Sequence, residues 1–460
     1  MNLVKCAVSL IAVAAVVACA KPEGGAATDS TVAASSTAST TSCPGGNSGI
    51  TVPAGFCATI FADTIGHARH LVVNSNGDVY VNTWSGGYYN TPAHSGGFVV
   101  ALRDTNNDGV ADVVRRIGPD SLHGSGGGTG IDIYNASLYV EQFRAKDAEI
   151  VRYALPPDSF PPDSAKSETI VTGFPITPDH NMHPFAIGTS GDLYVDLGST
   201  SNSCQLKNRT LQSPGRKPCT ELQTRGGIWR YDAKKTNQRF SPAERYATGI
   251  RNAVGIAFDP SGQLYSTQHG RDQLYDNWPK VYTQDQGENL PAEELLKIEQ
   301  GGDYGWPNCY YDGGQQKLVL APEYGGDGKA VGDCASKKGP EAFFGAHWAP
   351  DGLVFYNGSS FPAHYKGGAF IAFHGSWNRA PGTQQGYNVV FVPFARGNPA
   401  SPSTHEVFAD GFAGRPLGPD TNDKAAHRPA GVAVGPDGAL YIADDKAGRV
   451  WKVVYKGQGR

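Results

Sequence analysis

An imidazole beside a carboxylate is the first chemistry the sequence offers: Asp179-His180, in a turn ahead of an apolar alternating stretch. Histidine titrates near neutral pH and serves as general acid or base, and an adjacent aspartate can hold its tautomer and orientation. A surface-turn histidine is the alternative at this level, and His183 is either a second site histidine or a packing residue. Arg251-Asn252, Arg379 and Arg428 supply permanent planar cations, suited to carboxylates or to negative charge that develops in a reaction. Salt bridging between sheets is the structural alternative for Arg251. His347-Trp348 offers an aromatic wall beside a flat ligand, or ordinary packing. Asp104, Asn106, Asp108 and Asp112 stand at positions one, three, five and nine of a calcium-type loop, with Gly109 at six. Arg115 takes the twelfth position, where such loops carry an acid, so an Asx-turn hairpin competes with the calcium reading.

These residues are scattered along the chain, and a repeat brings them into register. Strand–turn–strand copies recur as HLVVNSNGDVYVNTW (70–84), GIDIYNASLYVEQF (130–143), PFAIGTSGDLYVDLG (184–198), GIAFDPSGQLYSTQH (255–269) and GVAVGPDGALYIADD (431–445). A weaker copy with a longer turn spans 353–375. Glycine sits where the tight turns need positive φ. The second-strand aromatics align as Tyr80, Tyr139, Tyr194, Tyr265, Phe370 and Tyr441. Gly 59 and Pro 31 in 460 residues, with only two Met, mean many tight turns and exclude long helices and coiled coils. The expectation is an all-β chain: a six-bladed β-propeller over residues 49–457, a fold that removes free edges by radial closure. One long insertion, residues 271–345, is expected to carry a short helix at PAEELLKIEQ (291–300). A formal charge of −4 lacks the basic surface that phosphate binding requires and argues against nucleic acid as a partner.

Residues 1–18 read as an export signal, one Lys followed by an apolar run and a small-residue site. Val16-Val17-Ala18-Cys19 is a lipobox pattern, so Cys19 is the expected lipidated N-terminus, ahead of a Ser/Thr/Ala tether reaching residue 48. The expected address is a bacterial envelope, on the periplasmic face of an outer membrane or the cell surface, with the membrane touched through the lipid alone. Of eight cysteines, Cys6 leaves with the signal and Cys19 carries lipid. The other six form neighbouring pairs, Cys43/Cys57, Cys204/Cys219 and Cys309/Cys334, read as disulfides of an exported chain. CxxC and Cys/His zinc spacings are absent from the sequence, as is a haem-attachment CxxCH.

The motif order DH, IRN, GIAFDPSGQLY, QHG, EELLKI, GGDYGWPN, HGSWNR and HRPAGVAVGPDG resembles the soluble pyrroloquinoline-quinone sugar dehydrogenases, most of all their sorbosone dehydrogenase-like branch. The resemblance covers roughly residues 55–455. It implies oxidation of an aldose or related sugar by hydride transfer to calcium-bound pyrroloquinoline quinone, with His180 as general base. It implies that Arg251 and Asn252 meet the quinone, that Arg428 pairs with a cofactor carboxylate, and that Arg379 is a second cation. Backbone carbonyls of Gly270 and Arg271 correspond to ligands of the cofactor's Ca²⁺. Glu294, the Tyr304 carbonyl and Asp312 correspond to a structural calcium cluster. The family's amide ligands from the second repeat unit have no match at Gly124–Gly130. Electrons would leave to a separate quinone or cytochrome. A lipid-anchored propeller that binds glycan or protein without the cofactor is the competing reading. A calcium-dependent lactonase needs an acidic cage on the inner strands, which the repeat copies lack.

Overall fold

The computed structural model describes residues 43–84, 96–119, 126–176 and 179–457. Residues 1–42, which hold Cys6, Cys19 and the segments expected to be an export signal and most of a tether, and Gly124 lie outside the described residues. Among the described residues 24 of 29 strands fall into six four-stranded antiparallel sets, the first two linked in parallel at Trp84 and Gly127, with short extra strands beside them. The first is His67–Val73, Val79–Trp84, Val99–Arg103 and Val113–Ile117. The second is Gly126–Tyr134, Ser137–Phe143, Asp147–Ala154 and Glu168–Pro175. The third runs Phe185–Ile187, Asp192–Leu197, Gly227–Asp232 and Arg245–Thr248. The fourth is Ile256–Phe258, Leu264–Gln268, Glu293–Lys297 and Ala342–Phe344. Pro350–Phe355, Ala369–Phe373, Asn388–Val392 and Glu406–Ala409 make the fifth. The sixth joins Pro429–Val434, Leu440–Asp444 and Arg449–Tyr455 to the N-terminal strand Phe56–Ala62, so distant parts of the chain share one sheet.

Each aligned aromatic of the repeat falls on the second strand of its set. Apolar side chains on facing sheets form cores between neighbours. Tyr80, Phe98 and Val99 of the first set meet Leu138, Val140 and Tyr153 of the second, and so on around to Ala443 and Val450 of the sixth against Val79 and Val81 of the first. This closed succession of sheets is a propeller arrangement. Burial of both sheet faces supplies its main driving force.

The residue two places after the aligned aromatic adds a polar link in four sets. Asn82 Nδ2 donates to the Gly130 carbonyl (2.9 Å). Glu141 accepts the His183 amide (2.7 Å). Asp196 accepts the Ala253 amide (3.2 Å), and Thr267 Oγ1 donates to the Pro350 carbonyl (2.7 Å). Each contact reaches the following set, and all four side chains are buried.

One expected element is different. PAEELLKIEQ is not a helix, because Glu293–Lys297 pairs on one side with Leu264–Gln268 and on the other with Ala342–Phe344. Two flanking strands satisfy its backbone along both edges and bury Leu295 and Leu296 on opposite faces, which outweighs the local helix propensity of Glu-Glu-Leu-Leu-Lys. The stretch 271–345 has helices elsewhere, at Leu274–Asn277 and Gln284–Asn289, the latter started by a Thr283/Gln286 capping box. Disulfides join Cys43–Cys57, Cys204–Cys219 and Cys309–Cys334.

Glu141 also accepts the amides of Thr129 (2.7 Å) and Gly130 (2.9 Å), and meets His183 Nδ1 at 3.0 Å. Glu141→Ala strands these buried donors and is expected to cost about 3–5 kcal/mol. A fall in the urea midpoint at constant slope reads it out; a loss below about 1 kcal/mol would contradict this role.

Candidate functional site

The first strands begin, and the second strands end, at the same side of the ring. The residue four places after each aligned aromatic therefore lies there, and Trp84, His269, His374 and Asp445 occupy that position and line a pocket. Arg69, His180, Arg251, Asp351 and Arg428, from the segments leading into or opening first strands, also line it. The cavity measures about 510 Å³. Of the residues that sequence reasoning selected, Asp179, His180, Arg251, Asn252, Gly270, His347 and Arg428 are brought together here.

His180 Nδ1 lies 2.9 Å from the Ser199 carbonyl and 3.1 Å from Ser199 Oγ. A carbonyl only accepts, so this contact assigns the proton to Nδ1 and the lone pair to Nε2. Ser199 is itself held, its amide donating to the Arg251 carbonyl (2.8 Å) and its hydroxyl to the Ser201 carbonyl (2.7 Å). Burial, reinforced by the neighbouring Arg251 charge, pushes the His180 imidazole well below its ordinary range. Asp179 does not orient His180. Its carboxylate accepts from Asn208 Nδ2 (3.2 Å) and Arg209 Nη2 (3.4 Å). His183 is a packing residue, fully buried on Glu141 and stacked on Phe174.

Arg251 donates Nε to the Asn202 carbonyl (3.0 Å), Nη1 to the Gly270 carbonyl (3.0 Å), and Nη2 to Asn202 Oδ1 (3.1 Å) and Asp272 Oδ2 (2.9 Å). Asp272, which sequence reasoning missed, also binds Arg209 (3.1 Å) and, through Oδ1, Asn378 Nδ2 (2.8 Å). Burial alone would raise its carboxyl; Arg251 and Arg209 outweigh that and hold it well below the usual range. Arg428 rests on the carbonyls of His374 (3.0 Å) and Gly375 and on Asn422 Oδ1 (2.9 Å).

A second missed network spans the pocket. Arg69 Nη1 bridges Asp351 (2.9 Å) and Asp445 (2.7 Å), and these carboxylates meet His269 (3.1 Å) and His374 (2.8 Å). Glu293 lines the same cavity, accepting the Gly270 amide (2.8 Å), with burial pushing it up to about 7. The position four places past the repeat aromatic was the available signal for three of these residues.

Other expected site residues stand elsewhere. Arg379 is turned onto the end of the Gln284–Asn289 helix, bonding the carbonyls of Glu288 and Ala346 (3.1 Å) and Asn289 Oδ1 (3.0 Å). The Glu288 carbonyl, in the last turn of that helix, has no helical partner and attracts a cation. Trp348 packs edge-on against Phe373 and donates Nε1 to Gln385 (3.0 Å), so it belongs to the core, not to the pocket wall. The tryptophans that do line the cavity are Trp84 and Trp377. The Arg271 side chain forms a buried pair with Glu323 at 2.6 Å, which says nothing of its carbonyl, the group expected to face the ion. Glu294 accepts from Gln268 Nε2 (2.8 Å), Asp312 caps the Gln315 amide (2.9 Å), and the Tyr304 hydroxyl bonds its own loop at Glu299 and Lys297. Among the described residues neither Glu294 nor Asp312 joins a metal-type group of acids and histidines; the grouping of Cys204, Cys219 and Glu221 has its thiols in a disulfide. In the 104–112 loop, Asp104 accepts the Gly109 amide (2.9 Å), Asn106 the Asp108 amide (3.0 Å), Asp108 the Val110 amide (2.8 Å) and Asp112 the Thr105 amide (3.0 Å). The Asn106 and Asp108 contacts are Asx turns, and those of Asp104 and Asp112 close the loop that joins two strands of the first set.

The model of the TrAA12-like family matches residues 50–456. The chain belongs to the TrAA12-like family. It is 36% identical over 147 residues to an uncharacterized protein of Borreliella burgdorferi, covering 31% of this chain and 33% of that one. To the pyrroloquinoline quinone-dependent pyranose dehydrogenase of Coprinopsis cinerea it is 28% identical over 159 residues, covering 32% and 21%. The matched segments thus span a third or less of these curated relatives. Its fold is similar to the Trichoderma reesei carbohydrate-active enzyme of family AA12, with TM-score 0.67, 20% identity, and coverage of 88% and 98% of the two chains. The similarity is to pyrroloquinoline-quinone sugar dehydrogenases, as the motifs implied.

A histidine with a lowered folded-state pKa resists protonation. Its contribution to stability is complete above the ordinary value of 6.5 and is withdrawn as pH falls toward the folded value. The His180 ring resonances, assigned by their loss in His180→Gln, are expected to hold the neutral-tautomer position from about pH 7.5 to about pH 6. A midpoint near 6.5 would contradict the assignment.

Proposed function

We propose that this TrAA12-like chain is a quinoprotein sugar oxidoreductase, a six-bladed propeller that oxidises an aldose or sorbosone-type sugar. His180, with its lone pair on Nε2 and its Nδ1 proton held by Ser199, carries the reading. Pyrroloquinoline quinone is a flat tricarboxylate, and the pocket's chemistry fits it: guanidinium groups of Arg251 and Arg428 on the wall, and about 510 Å³ of space. Calcium prefers oxygen donors, and the Gly270 carbonyl retains a lone pair beyond the one Arg251 uses. When bound, the calcium–quinone pair supplies a two-electron acceptor for hydride.

The chain's own residues do the rest. His180 Nε2 takes the proton of the reacting sugar hydroxyl as its carbon gives up hydride. The Ser199 carbonyl keeps the imidazole in the tautomer this requires and stabilises the imidazolium that forms. Arg251, fixed from four sides, opposes negative charge that builds beside it without reorganising. Arg428 would pair with a carboxylate of the cofactor, and a separate quinone or cytochrome would take the electrons onward.

Purified chain reconstituted with the quinone and Ca²⁺ should reduce a dye with a member of a sugar panel. His180→Ala should lower turnover roughly 10²–10⁴-fold. Asp179→Asn should change it less than about tenfold, because Asp179 does not hold the tautomer. Equal losses in the two variants would overturn the role of Ser199, and no turnover with any sugar would favour a glycan- or protein-binding propeller.

The proposal includes an envelope address through lipidated Cys19, supported by the lipobox and the tether. A multiply acylated cysteine anchors stably where a single chain does not. The mature N-terminus should carry the acyl mass on Cys19; an unmodified terminus beyond it would refute the anchor.

A further inference from the structure

Trp377 is 47% exposed, yet both of its neighbours are locked. Ser376 donates its amide to the Gln385 carbonyl (2.8 Å) and its hydroxyl to Gln384 Oε1 (2.7 Å), and its own carbonyl accepts from Tyr387 Oη. Asn378 donates Nδ2 to Asp272 Oδ1 (2.8 Å), the carboxylate that also holds Arg251. Arg379 is clamped to the carbonyls of Glu288 and Ala346. Gly375 opens the turn at φ +95°, where a Cβ would meet the Tyr387 ring at 2.5 Å. The backbone on either side of the indole is therefore rigid, and it holds a large apolar ring at the water-exposed edge of the pocket. The exposed half of the indole adds nothing to folding, since exposed apolar area is area not buried.

The pocket around it carries hydrogen-bonding groups of a particular kind: Asn181, Asn422, Asp179 and Arg209. A planar ring beside amides and charged groups matches a pyranose, which has an apolar C–H face and a rim of hydroxyls. We propose that Trp377 is the stacking platform for the sugar ring at the mouth of the site, and so a determinant of specificity for cyclic sugars over open-chain polyols. In naming a sugar this rests on the reading of the preceding subsection. Stacking acts on bound substrate and transition state alike, so it governs KM and leaves kcat in place.

The test uses the full chain, with glucose, galactose and cellobiose as ring probes and sorbitol as the open-chain control. Without cofactor, the ring sugar that binds should change tryptophan fluorescence saturably, sorbitol should not, and Trp377→Ala should abolish the change. In the reconstituted enzyme Trp377→Ala should raise KM about tenfold with kcat within about twofold, and Trp377→Phe should restore KM. Unchanged KM and binding in Trp377→Ala would overturn the platform and leave sugar oxidation standing. A Trp377-dependent sugar signal without turnover of any sugar would keep the platform and overturn sugar oxidation. Neither signal nor turnover would overturn both.

Discussion

Arg69 holds two carboxylates that arise from different sheets, Asp351 at 2.9 Å and Asp445 at 2.7 Å, and each passes its second oxygen to a histidine. The contact is imposed by closure. When sheets ring an axis, their first strands converge, and polar groups at the convergent end find partners in one another or are left without solvent. Removing a charge from water costs several kcal/mol, and an ion pair repays it only with good geometry and with its remaining lone pairs satisfied. Here Arg69 Nε also reaches Thr129 Oγ1 (3.3 Å) from the second set. One guanidinium thus ties together residues of four different sets, and the pocket wall it forms is polar and rigid at once.

Asp272 does for the rim what Arg69 does for that wall. It collects Arg251, Arg209 and Asn378, and the Asn202 amide oxygen takes both its backbone amide (2.8 Å) and an Arg251 nitrogen (3.1 Å). A loop from the third set, the turn after the fourth set's second strand and the loop bearing Trp377 are thereby joined through one carboxylate. Arg251 pays for this with some freedom, since its donors are committed before any ligand arrives. Fixed donors are what electrostatic stabilisation of a developing charge calls for.

The repeat was legible because its signals are local. Alternation, turn glycines and an aromatic on the second strand are set by the two-residue period of a strand and by the φ that a tight turn requires. The same locality misled at Glu293–Lys297, where five residues with helical preference lie between two strands that claim their backbone. Arg379 and Trp348 misled for another reason. Each sits one or two residues from pocket-lining positions, and chain proximity does not say on which side of a turn a side chain emerges.

The sequence by itself determined the strand content, the second-strand position of each aligned aromatic, the cysteine pairs and the presence of His180, Arg251 and Arg428 in a recognisable order. Those depend on neighbours in the chain, or on a motif read as a string. Tertiary structure alone decided that a backbone carbonyl, not Asp179, selects the His180 tautomer, and that Asp272, Asp351 and Asp445 organise the cations. It also decided that Trp377, not Trp348, faces the pocket. Hydrogen-bond partners and burial are properties of distance in space, and closing the ring brings together residues such as Arg69 and Asp445 that lie near opposite ends of the described chain.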